Sequence, residues 1–322
     1  MNLPDWLLAE VGRVEDILME RAGASPSSLV AESSTHLIKA GGKRIRPALV
    51  LLASRSGTPG LRATDLAAAA IELVHLATLY HDDVIDETDT RRGVPTVHSK
   101  WGTEVAVLAG DYLFANGSSL GAEAGGEVPG ILARAIAEVC EGQIVETSTA
   151  GNPDRSVDEY MSTIGGKTAA LFRAGCELGA STSGATDEAR AALVTFGENL
   201  GLAFQIVDDL LDVVGDPKTT GKVPGTDIRE GVFTLPVLLA CERDGSLRSL
   251  LASGERDLTA VLPLLASTGA LDETMARAVD HGNKAVAALD ALPQGDWIVA
   301  LQFIADGVLA QVEATAGIGR ST

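Results

Sequence analysis

The sequence is poor in aromatic residues, in cysteine and in positive charge, and each shortage narrows what the chain can be. Only 4% of its 322 residues are aromatic, although 46% are hydrophobic, which is enough to bury a large core. Lysine and arginine number 25 against 44 aspartates and glutamates, giving a formal net charge of −19. Phosphate backbones are bound by clustered Lys and Arg, so this balance argues against a general nucleic-acid-binding protein.

Cysteines and long apolar runs are also scarce. Cys140, Cys176 and Cys241 lie far apart and lack the spacing of metal ligands, so we expect reduced, buried thiols. The first residues have no basic region followed by an apolar core, unlike a signal peptide. No uninterrupted apolar run reaches the roughly 18 to 20 residues that a membrane span needs. The expectation is a soluble cytoplasmic protein without a transmembrane segment.

What the chain does contain is helical periodicity, because apolar residues recur every three or four positions instead of alternating. Several of these segments are apolar nearly all round, as in the central helices of a large bundle. Glycine and proline clusters separate the segments, and nothing resembles a flexible linker. We therefore predict one all-α domain over residues 1–322. The predicted helices are 7–21, 65–83, 131–147, 189–214, 273–292 and 297–314.

A first acidic cluster ends the apolar helix that begins near residue 65. Asp82 and Asp86 are four residues apart and face the same way on a helix, whereas Asp83 is turned by about 100°. Two carboxylates at this spacing suit a hard cation such as Mg²⁺. A solvated helix end is the plainer alternative, although acidic residues at a helix C-terminus oppose its dipole. Arg91 and Arg92 follow, and guanidinium groups bind either carboxylates or phosphates.

The same pattern returns about 126 residues later, near the end of another apolar helix. Asp208 and Asp212 are again four residues apart, and Asp209 follows the first of them. If the two helices lie side by side, the carboxylates would face each other across a cavity, as in metal sites of helix bundles. Several divalent ions held there would bind a polyanionic ligand. Lys222, in the loop that follows, would add a positive charge for that ligand.

One segment is densely cationic in this acidic chain. Lys43, Arg44 and Arg46 follow two glycines that let backbone N–H groups approach an anion, although a loop with exposed basic residues is the alternative. The weaker single candidates are His75, inside an apolar helix where a core role is commoner, and Lys167 with Thr168 after two glycines.

Together these motifs resemble those of the trans-type isoprenyl diphosphate synthases of the polyprenyl synthetase family. The resemblance runs in the family's order through GGKRIRP, LVHLATLYHDDVIDETDTRRG, GDYLFA, EGQ, KTAALF, GLAFQIVDDLLDVVGD, GK, GTD and TLP, over residues 30 to 240. It implies a single large antiparallel helix bundle with a central cavity, of the isoprenoid synthase type. It also implies a homodimer.

The family's reaction is the head-to-tail condensation of isopentenyl diphosphate with an allylic diphosphate. By resemblance, about three Mg²⁺ ions would be required, with Mn²⁺ as a substitute, and the direct metal ligands would be Asp82, Asp86 and Asp208. Asp83, Asp209 and Asp212 would be further ligands or orient them. The residues implied for the allylic diphosphate are Arg91, Lys167 and Lys222, with Thr168 and Gln205 close by. Those implied for isopentenyl diphosphate are Lys43, Arg46, His75 and Arg92. The released diphosphate would take the proton, in keeping with the lack of an obvious dedicated base.

One departure and one pattern bear on affinity and product length. Val232 stands where the family often has a lysine, and Arg229 is a candidate replacement. Short-chain members carry a bulky aromatic residue just before the first aspartate pair, by resemblance, whereas Ala77 and Thr78 are small here, with Val74 a turn deeper. We therefore expect a product longer than twenty carbons. A geranylgeranyl or farnesyl diphosphate synthase is the alternative.

Three rival functions are weighed against this expectation. A terpene cyclase would carry one such aspartate motif, but it would have a different second metal motif and no need for the cationic segment. A regulatory subunit of a heteromeric synthase would be expected to lose metal ligands, and all six aspartates are present. A plain structural bundle does not explain why cations and carboxylates concentrate in these loops.

Overall fold

A computed structural model describes the backbone of residues 4–215 and 224–316 and the side chains of 4–215 and 224–311. Helices make up most of this part of the chain. The first ten are α1 (Asp5–Gly23), α2 (Ser28–Lys39), α3 (Ile45–Ala53), α4 (Arg62–Ile85), α5 (Val97–Trp101), α6 (Thr103–Ala124), α7 (Val128–Thr149), α8 (Val157–Ile164), α9 (Ala170–Ser183) and α10 (Asp187–Val214). The others are α11 (Thr226–Glu230), α12 (Leu235–Arg243), α13 (Gly245–Ala252), α14 (Leu258–Ser267), α15 (Ala270–Ala288) and α16 (Asp296–Ala316). The fold is all-α, as the sequence predicts.

A small hairpin interrupts the helices of the described chain. Strands β1 (Thr90–Arg91) and β2 (Val94–Pro95) pair antiparallel, with Arg91 opposite Val94. The two residues of the connection, Arg92 and Gly93, have φ angles of 53° and 77°. Two-residue hairpin turns of this hand need positive φ at both positions, which glycine adopts easily and arginine does not.

The chain divides into two compact units. Unit 1 contains residues 1–136, 174–194 and 291–300, and unit 2 contains residues 137–173, 195–290 and 301–322. In unit 1, α4 packs mainly against α6, and also against α1 and α3. In unit 2, α12 packs against α8, α13, α14 and α15. The assignment of residues 1–322 to a single domain stays a prediction.

Helix α4 is the apolar core helix of unit 1. It is long and apolar enough to cross a membrane by length and composition, with 78% of its apolar window buried inside the protein. Core helices pass the same test, so the helix is weak evidence for a membrane span. Its buried face is formed by small and aliphatic side chains, and it also holds the carboxylates of Glu72 and Asp83.

All six helices predicted from periodicity are present, each within a few residues of its predicted ends. The prediction of buried cysteines is correct for Cys176 and Cys241, and burial raises the pKa of the Cys176 thiol to about 12. It is wrong for Cys140, which is exposed. Its neighbour Val139 takes the buried position on that turn of α7, so Cys140 lies on the outward face.

Candidate active site

The first aspartate motif lies at the end of α4, in unit 1. Asp86 is the residue that ends the helix, and its N–H donates to the carbonyl of Asp82 at 2.8 Å. Asp82 is half-buried, Asp86 is exposed and Asp83 is buried. As the helical spacing predicts, Asp83 points away from the other two aspartates: Asp82 and Asp86 are accessible, whereas Asp83 is turned into the protein.

Asp83 is held by Arg91. The Nε of Arg91 donates to Oδ1 of Asp83 at 2.6 Å, while Oδ2 is buried and has no hydrogen-bond partner. Burial raises the pKa of the Asp83 carboxyl, and the charge of Arg91 opposes the shift. Arg91, predicted to contact a diphosphate, is thus bonded to the motif itself.

The hairpin places Arg92 against the end of α2. Its Nη1 donates to the carbonyl of Leu37 at 3.2 Å and to that of Gly41. Burial lowers the pKa of Arg92, as do the charges of Arg44 and Arg91, whereas Glu72 raises it. The side chain is therefore fixed beside the cationic segment, 51 residues earlier in the chain.

The cationic segment links α2 to the start of α3. Lys43 is exposed and Arg46 is half-buried, with its pKa lowered to about 10 by burial above all and then by Arg92, against the charge of Glu72. Arg44 has a left-handed backbone, with φ of 49°, and is only 5% exposed. Sequence reasoning grouped the three cations, but only Lys43 and Arg46 are accessible.

His75 lies between the cationic segment and the first motif, on α4. Burial lowers the pKa of its imidazole well below the ordinary value, and the charges of four arginines lower it further; these are Arg46, Arg92, Arg91 and Arg44. The imidazole is therefore neutral at pH 7, with cations converging on it. This convergence supports an anion site and weighs against a plain core histidine.

The second aspartate motif lies near the end of α10, in unit 2, where its middle aspartate is buried in a hydrogen-bond network. The hydroxyl of Tyr160 donates to Oδ2 of Asp209, and the amide of Gln205 donates to Oδ1 at 2.7 Å. Thr168 in turn donates to the amide oxygen of Gln205 at 2.7 Å. Burial raises the pKa of Asp209 to about 7, and the bonds from Tyr160 and Gln205 oppose that rise. Thr168 and Gln205, both predicted site residues, are thus tied to the motif.

Tyr160 is set in place by the start of α8. Ser156 accepts a bond from the N–H of Glu159 at 3.1 Å, and its own N–H donates to Oε2 of Glu159 at 2.8 Å. This capping box fixes the first turn, in which Tyr160 is buried. The serine and the glutamate three residues on are a recognisable signal in the sequence, but nothing in it links Tyr160 to Asp209.

The last aspartate of the motif anchors the next helix. Oδ1 and Oδ2 of Asp212 accept the N–H groups of Thr226 and Asp227, at 3.2 and 3.1 Å. A carboxylate at a helix N-terminus satisfies N–H groups that have no partner within the helix. Asp208, by contrast, is half-buried. Arg229 bonds the carbonyl of Pro224 and the hydroxyl of Thr226, both at 2.8 Å.

Lys167 lies on a π-helical turn, Gly165–Ala169, and its Nζ is paired with the carboxylate of Glu146. The turn packs closely on α7, because a Cβ on Gly142 would lie 2.5 Å from the backbone nitrogen of Lys167. The glycine of the EGQ motif therefore sets how near Lys167 comes to α7. Sequence reasoning did not identify Glu146.

The residues predicted to set product length all lie on α4. Ala77 and Val74 are fully buried, and Val74 packs against α6, where a Cβ on Gly117 would lie 3.3 Å from Cγ2 of Val74. Thr78 is half-buried and donates to the carbonyl of His75 at 2.7 Å. Thr78 therefore shares the accessible face with Asp82 and His75, at helical spacing.

The predicted residues fall into the two units as follows. Unit 1 holds Lys43, Val74, His75, Ala77, Thr78, Arg46, Asp82, Asp83, Asp86, Arg91 and Arg92, and unit 2 holds Lys167, Thr168, Gln205, Asp208, Asp209 and Asp212. Lys222 lies outside the described residues. Among residues 4–215 and 224–311, no three His, Cys, Asp or Glu side chains form a group that could hold a metal ion.

Comparison with known proteins extends the likeness over most of the chain. A family model described as Polyprenyl synthetase matches residues 27–262. A nonaprenyl diphosphate synthase from Mycobacterium tuberculosis is 43% identical over 84% of this chain and 82% of its own length. Component 2 of a heptaprenyl diphosphate synthase from Geobacillus stearothermophilus is 39% identical over 90% of this chain and 92% of its own length. A short chain isoprenyl diphosphate synthase from Methanothermobacter thermautotrophicus is 41% identical over 90% of this chain and 94% of its own length.

Solved structures agree with the sequence relatives. A decaprenyl diphosphate synthase from Rhodobacter capsulatus matches with a TM-score of 0.90 and 37% identity, over 95% of this chain and 97% of that one. A polyprenyl synthase from Caulobacter crescentus, complexed with calcium and isoprenyl diphosphate, matches with a TM-score of 0.88 and 37% identity, over 95% of both chains. On these grounds, the chain belongs to the polyprenyl synthetase family of prenyltransferases.

Proposed function

We propose that the protein condenses isopentenyl diphosphate with an allylic diphosphate, head to tail, to make a polyprenyl diphosphate longer than twenty carbons. The observation that carries the proposal is that the charges of Arg46, Arg91 and Arg92 all act on the neutral His75, seven residues before Asp82. In a chain with a net charge of −19, such a concentration of guanidinium groups suits a strongly anionic substrate.

A divalent cation fits the donor chemistry of both motifs. Asp82, Asp86 and Asp208 offer carboxylate oxygens, which Mg²⁺ prefers while it retains water. Asp82 and Asp208 are half-buried and Asp86 is exposed, whereas Asp83, Asp209 and Asp212 are buried, so Asp82, Asp86 and Asp208 are the more accessible carboxylates. We assign these three residues to Mg²⁺, about three ions in all, with Mn²⁺ as a substitute. When bound, the ions would neutralise the charge of the leaving diphosphate.

The reaction balances without a dedicated protein base. The allylic C–O bond breaks and its electron pair leaves with the diphosphate. The double bond of isopentenyl diphosphate then attacks the allylic carbon, a C–C bond forms, and the proton that is lost passes to the released diphosphate. The charge that develops on the leaving oxygens needs preorganised cations, and Arg91 and Lys167 are assigned that task. Lys43, Arg46, Arg92 and His75 are assigned to isopentenyl diphosphate.

In both units, assigned cations are already paired with carboxylates: Arg91 with Asp83, and Lys167 with Glu146. Such pairs hold the cations in place before the substrate arrives, so less ordering is needed on binding. Val232 offers no charge where the family often has a lysine, and Arg229 is engaged with Pro224 and Thr226 on its own turn. We therefore expect the protein to bind the diphosphate more weakly than a relative that has the lysine, and to catalyse the same class of reaction.

A long product is supported by the small residues on α4. Thr78 lies on the same helical face as Asp82, one turn before it, and an aromatic residue there would obstruct a growing tail. Relatives of similar identity are named both as nonaprenyl and as short chain synthases. Identity alone therefore does not select a length, and the argument rests on the small side chains.

Mass spectrometry of the reaction products tests the proposal. Purified protein is incubated with Mg²⁺, isopentenyl diphosphate and, separately, three allylic diphosphates of increasing length, with a chelator as control. We expect a chelator-sensitive series of products that ends at one length beyond twenty carbons. A series that ends at fifteen or twenty carbons contradicts the assigned length, and no elongation with any starter contradicts the proposed reaction.

A further inference from the structure

Arg44 is the middle cation of the GGKRIRP segment, yet its guanidinium is occupied within the protein. It donates to Glu15 at 3.1 Å, to Glu72 at 3.2 Å and to the carbonyl of Ile38 at 3.0 Å. Of its two carboxylate partners, Glu72 is 2% exposed, whereas the side chain of Glu15 is 47% exposed. Glu72 is therefore its buried counter-charge, and Arg44 is not available to a substrate.

The carbonyl of Gly41 connects Arg44 to Arg92, one of the cations assigned to isopentenyl diphosphate. It accepts a bond from Nη1 of Arg44 at 3.4 Å and a second one from Nη1 of Arg92. Gly42 lies between the two guanidinium groups, because a Cβ there would be 2.9 Å from Cζ of Arg92 and 3.0 Å from Nη1 of Arg44. A displacement of Arg44 would therefore also displace the carbonyl of Gly41, to which Arg92 is hydrogen-bonded.

The backbone and the charges indicate the same dependence. Arg44 has a φ of 49°, a conformation that residues other than glycine keep only when surrounding contacts hold it. Arg46 follows two residues later, in the first turn of α3, so the backbone at Arg44 sets where that side chain begins. Glu72 also favours the charged forms of Arg46 and Arg92, by raising their pKa values.

We infer that Glu72 and Arg44 are positioning residues for isopentenyl diphosphate: the buried pair fixes the loop from Gly41 to Arg46 and, through the carbonyl of Gly41, the side chain of Arg92. The inference rests on the proposed function, because Arg46 and Arg92 are assigned to that substrate there. Neither Glu72 nor Arg44 contacts the substrate in this arrangement. Because they act through Arg46 and Arg92, we expect their effect to be confined to isopentenyl diphosphate.

Steady-state kinetics with each substrate varied in turn test the inference. The variants are Glu72→Gln, which removes the buried charge, and Glu15→Gln, the same change at the exposed partner of Arg44. For Glu72→Gln we expect the KM for isopentenyl diphosphate to rise at least about tenfold, as for the loss of a buried charge-assisted bond. We expect the KM for the allylic diphosphate to stay within about twofold, and both constants to stay within about twofold for Glu15→Gln.

A merely structural role would change both KM values alike, and that result overturns the inference. If Glu72→Gln does not fold, Arg44→Lys takes its place. Lysine keeps the charge but lacks the planar fork that reaches several acceptors, so the same selective rise is expected. If the wild type elongates and the KM values of the variant equal those of the wild type, only this inference is overturned. If the wild type does not elongate, the proposed function is overturned as well.

Discussion

At the scale of single residues, each aspartate motif combines accessible carboxylates with buried ones. Asp82 and Asp208 are half-buried and Asp86 is exposed, whereas Asp83, Asp209 and Asp212 are buried and bonded to other parts of the protein. Burial favours the neutral form of a carboxyl group, and the bonds to Asp83 and Asp209 oppose that rise in their pKa values. Sequence spacing alone identifies the aspartates but not the buried partners, such as Tyr160.

Asp82→Ala is the sharpest test of the metal assignment. Loss of a carboxylate that holds the cation at the leaving diphosphate is expected to reduce kcat by at least about a hundredfold. The helix should persist, because Asp82 is half-buried and alanine favours helices. Initial rates at saturating substrates and circular dichroism are measured for this variant and for Asp306→Ala, an exposed aspartate on α16. Wild-type turnover in Asp82→Ala contradicts the assignment.

His75 gives the stability a pH dependence of known sign. Its folded pKa is lowered well below 6.5, so the unfolded state binds more protons once the pH falls below about 6.5. The stability contribution of the neutral imidazole is complete above that pH and is lost as the pH falls towards the folded value. For one proton, the slope is at most about 1.4 kcal/mol per pH unit.

Urea denaturation at several pH values between 5 and 7 measures that slope. We expect His75→Gln to show a smaller fall in the free energy of unfolding than the wild type below pH 6.5, because glutamine does not titrate. His281, whose pKa is also lowered, is present in both proteins and cancels from the comparison. Equal slopes for the two proteins would show that folding does not lower the pKa of His75.

At the scale of the elements, the sequence predicts the long helices, which depend on local residue patterns, but not the features that depend on tertiary packing. Periodicity locates all six predicted helices, because their buried faces repeat every three or four residues. The hairpin of β1 and β2 was not predicted, since its strands have only two residues each and its turn contains an arginine at positive φ. The pairing of Lys167 with Glu146 was also missed, because it depends on how the π-helical turn packs on α7.

Gly142→Ala tests that packing. A Cβ would lie 2.5 Å from the backbone nitrogen of Lys167 and 2.9 Å from the carbonyl of Thr163, so backbone must move. We expect a loss of about 1–3 kcal/mol in the free energy of unfolding and a lower kcat, because Lys167 is displaced. Gly12→Ala on α1, where nothing lies within 4 Å, should gain about 0.4–1 kcal/mol. Thermal melts and initial rates are measured for both variants. If Gly142→Ala is as stable and as active as Gly12→Ala, the close contact between Gly142 and Lys167 is refuted.

Two phenylalanine substitutions on α4 test the path of the growing tail. Thr78→Phe is expected to shorten the product while folding normally, because Thr78 is half-buried on the face of Asp82. Ala77→Phe is expected to shorten it as well, but with a loss of about 1–3 kcal/mol, since Ala77 is fully buried. Product mass spectra and urea denaturation distinguish the two effects. An unchanged product length in both variants removes this part of α4 from the tail's path.

At the scale of the whole molecule, the dimer implied by the resemblance is a proposal for which α6 offers a surface. One side of α6 packs on α4, while Val107 and Leu108 are 38% and 66% exposed. Exposed apolar patches mark candidate interaction surfaces, and Val107 and Leu108 are the exposed aliphatic pair on α6. A second copy is the proposed occupant. A different chain is the alternative, since one relative is a component of a heptaprenyl diphosphate synthase.

Light scattering coupled to gel filtration measures the mass of the assembly, and we expect twice the 33.2 kDa of one chain for the wild type. Leu108→Glu places a charge in the proposed contact surface, where desolvation without a partner is costly, and should yield a monomer. Val299→Glu is the matched control, because Val299 is 63% exposed on α16, away from α6 in the sequence. A wild-type monomer, or a Leu108→Glu variant that keeps the doubled mass, contradicts a dimer formed through this surface of α6.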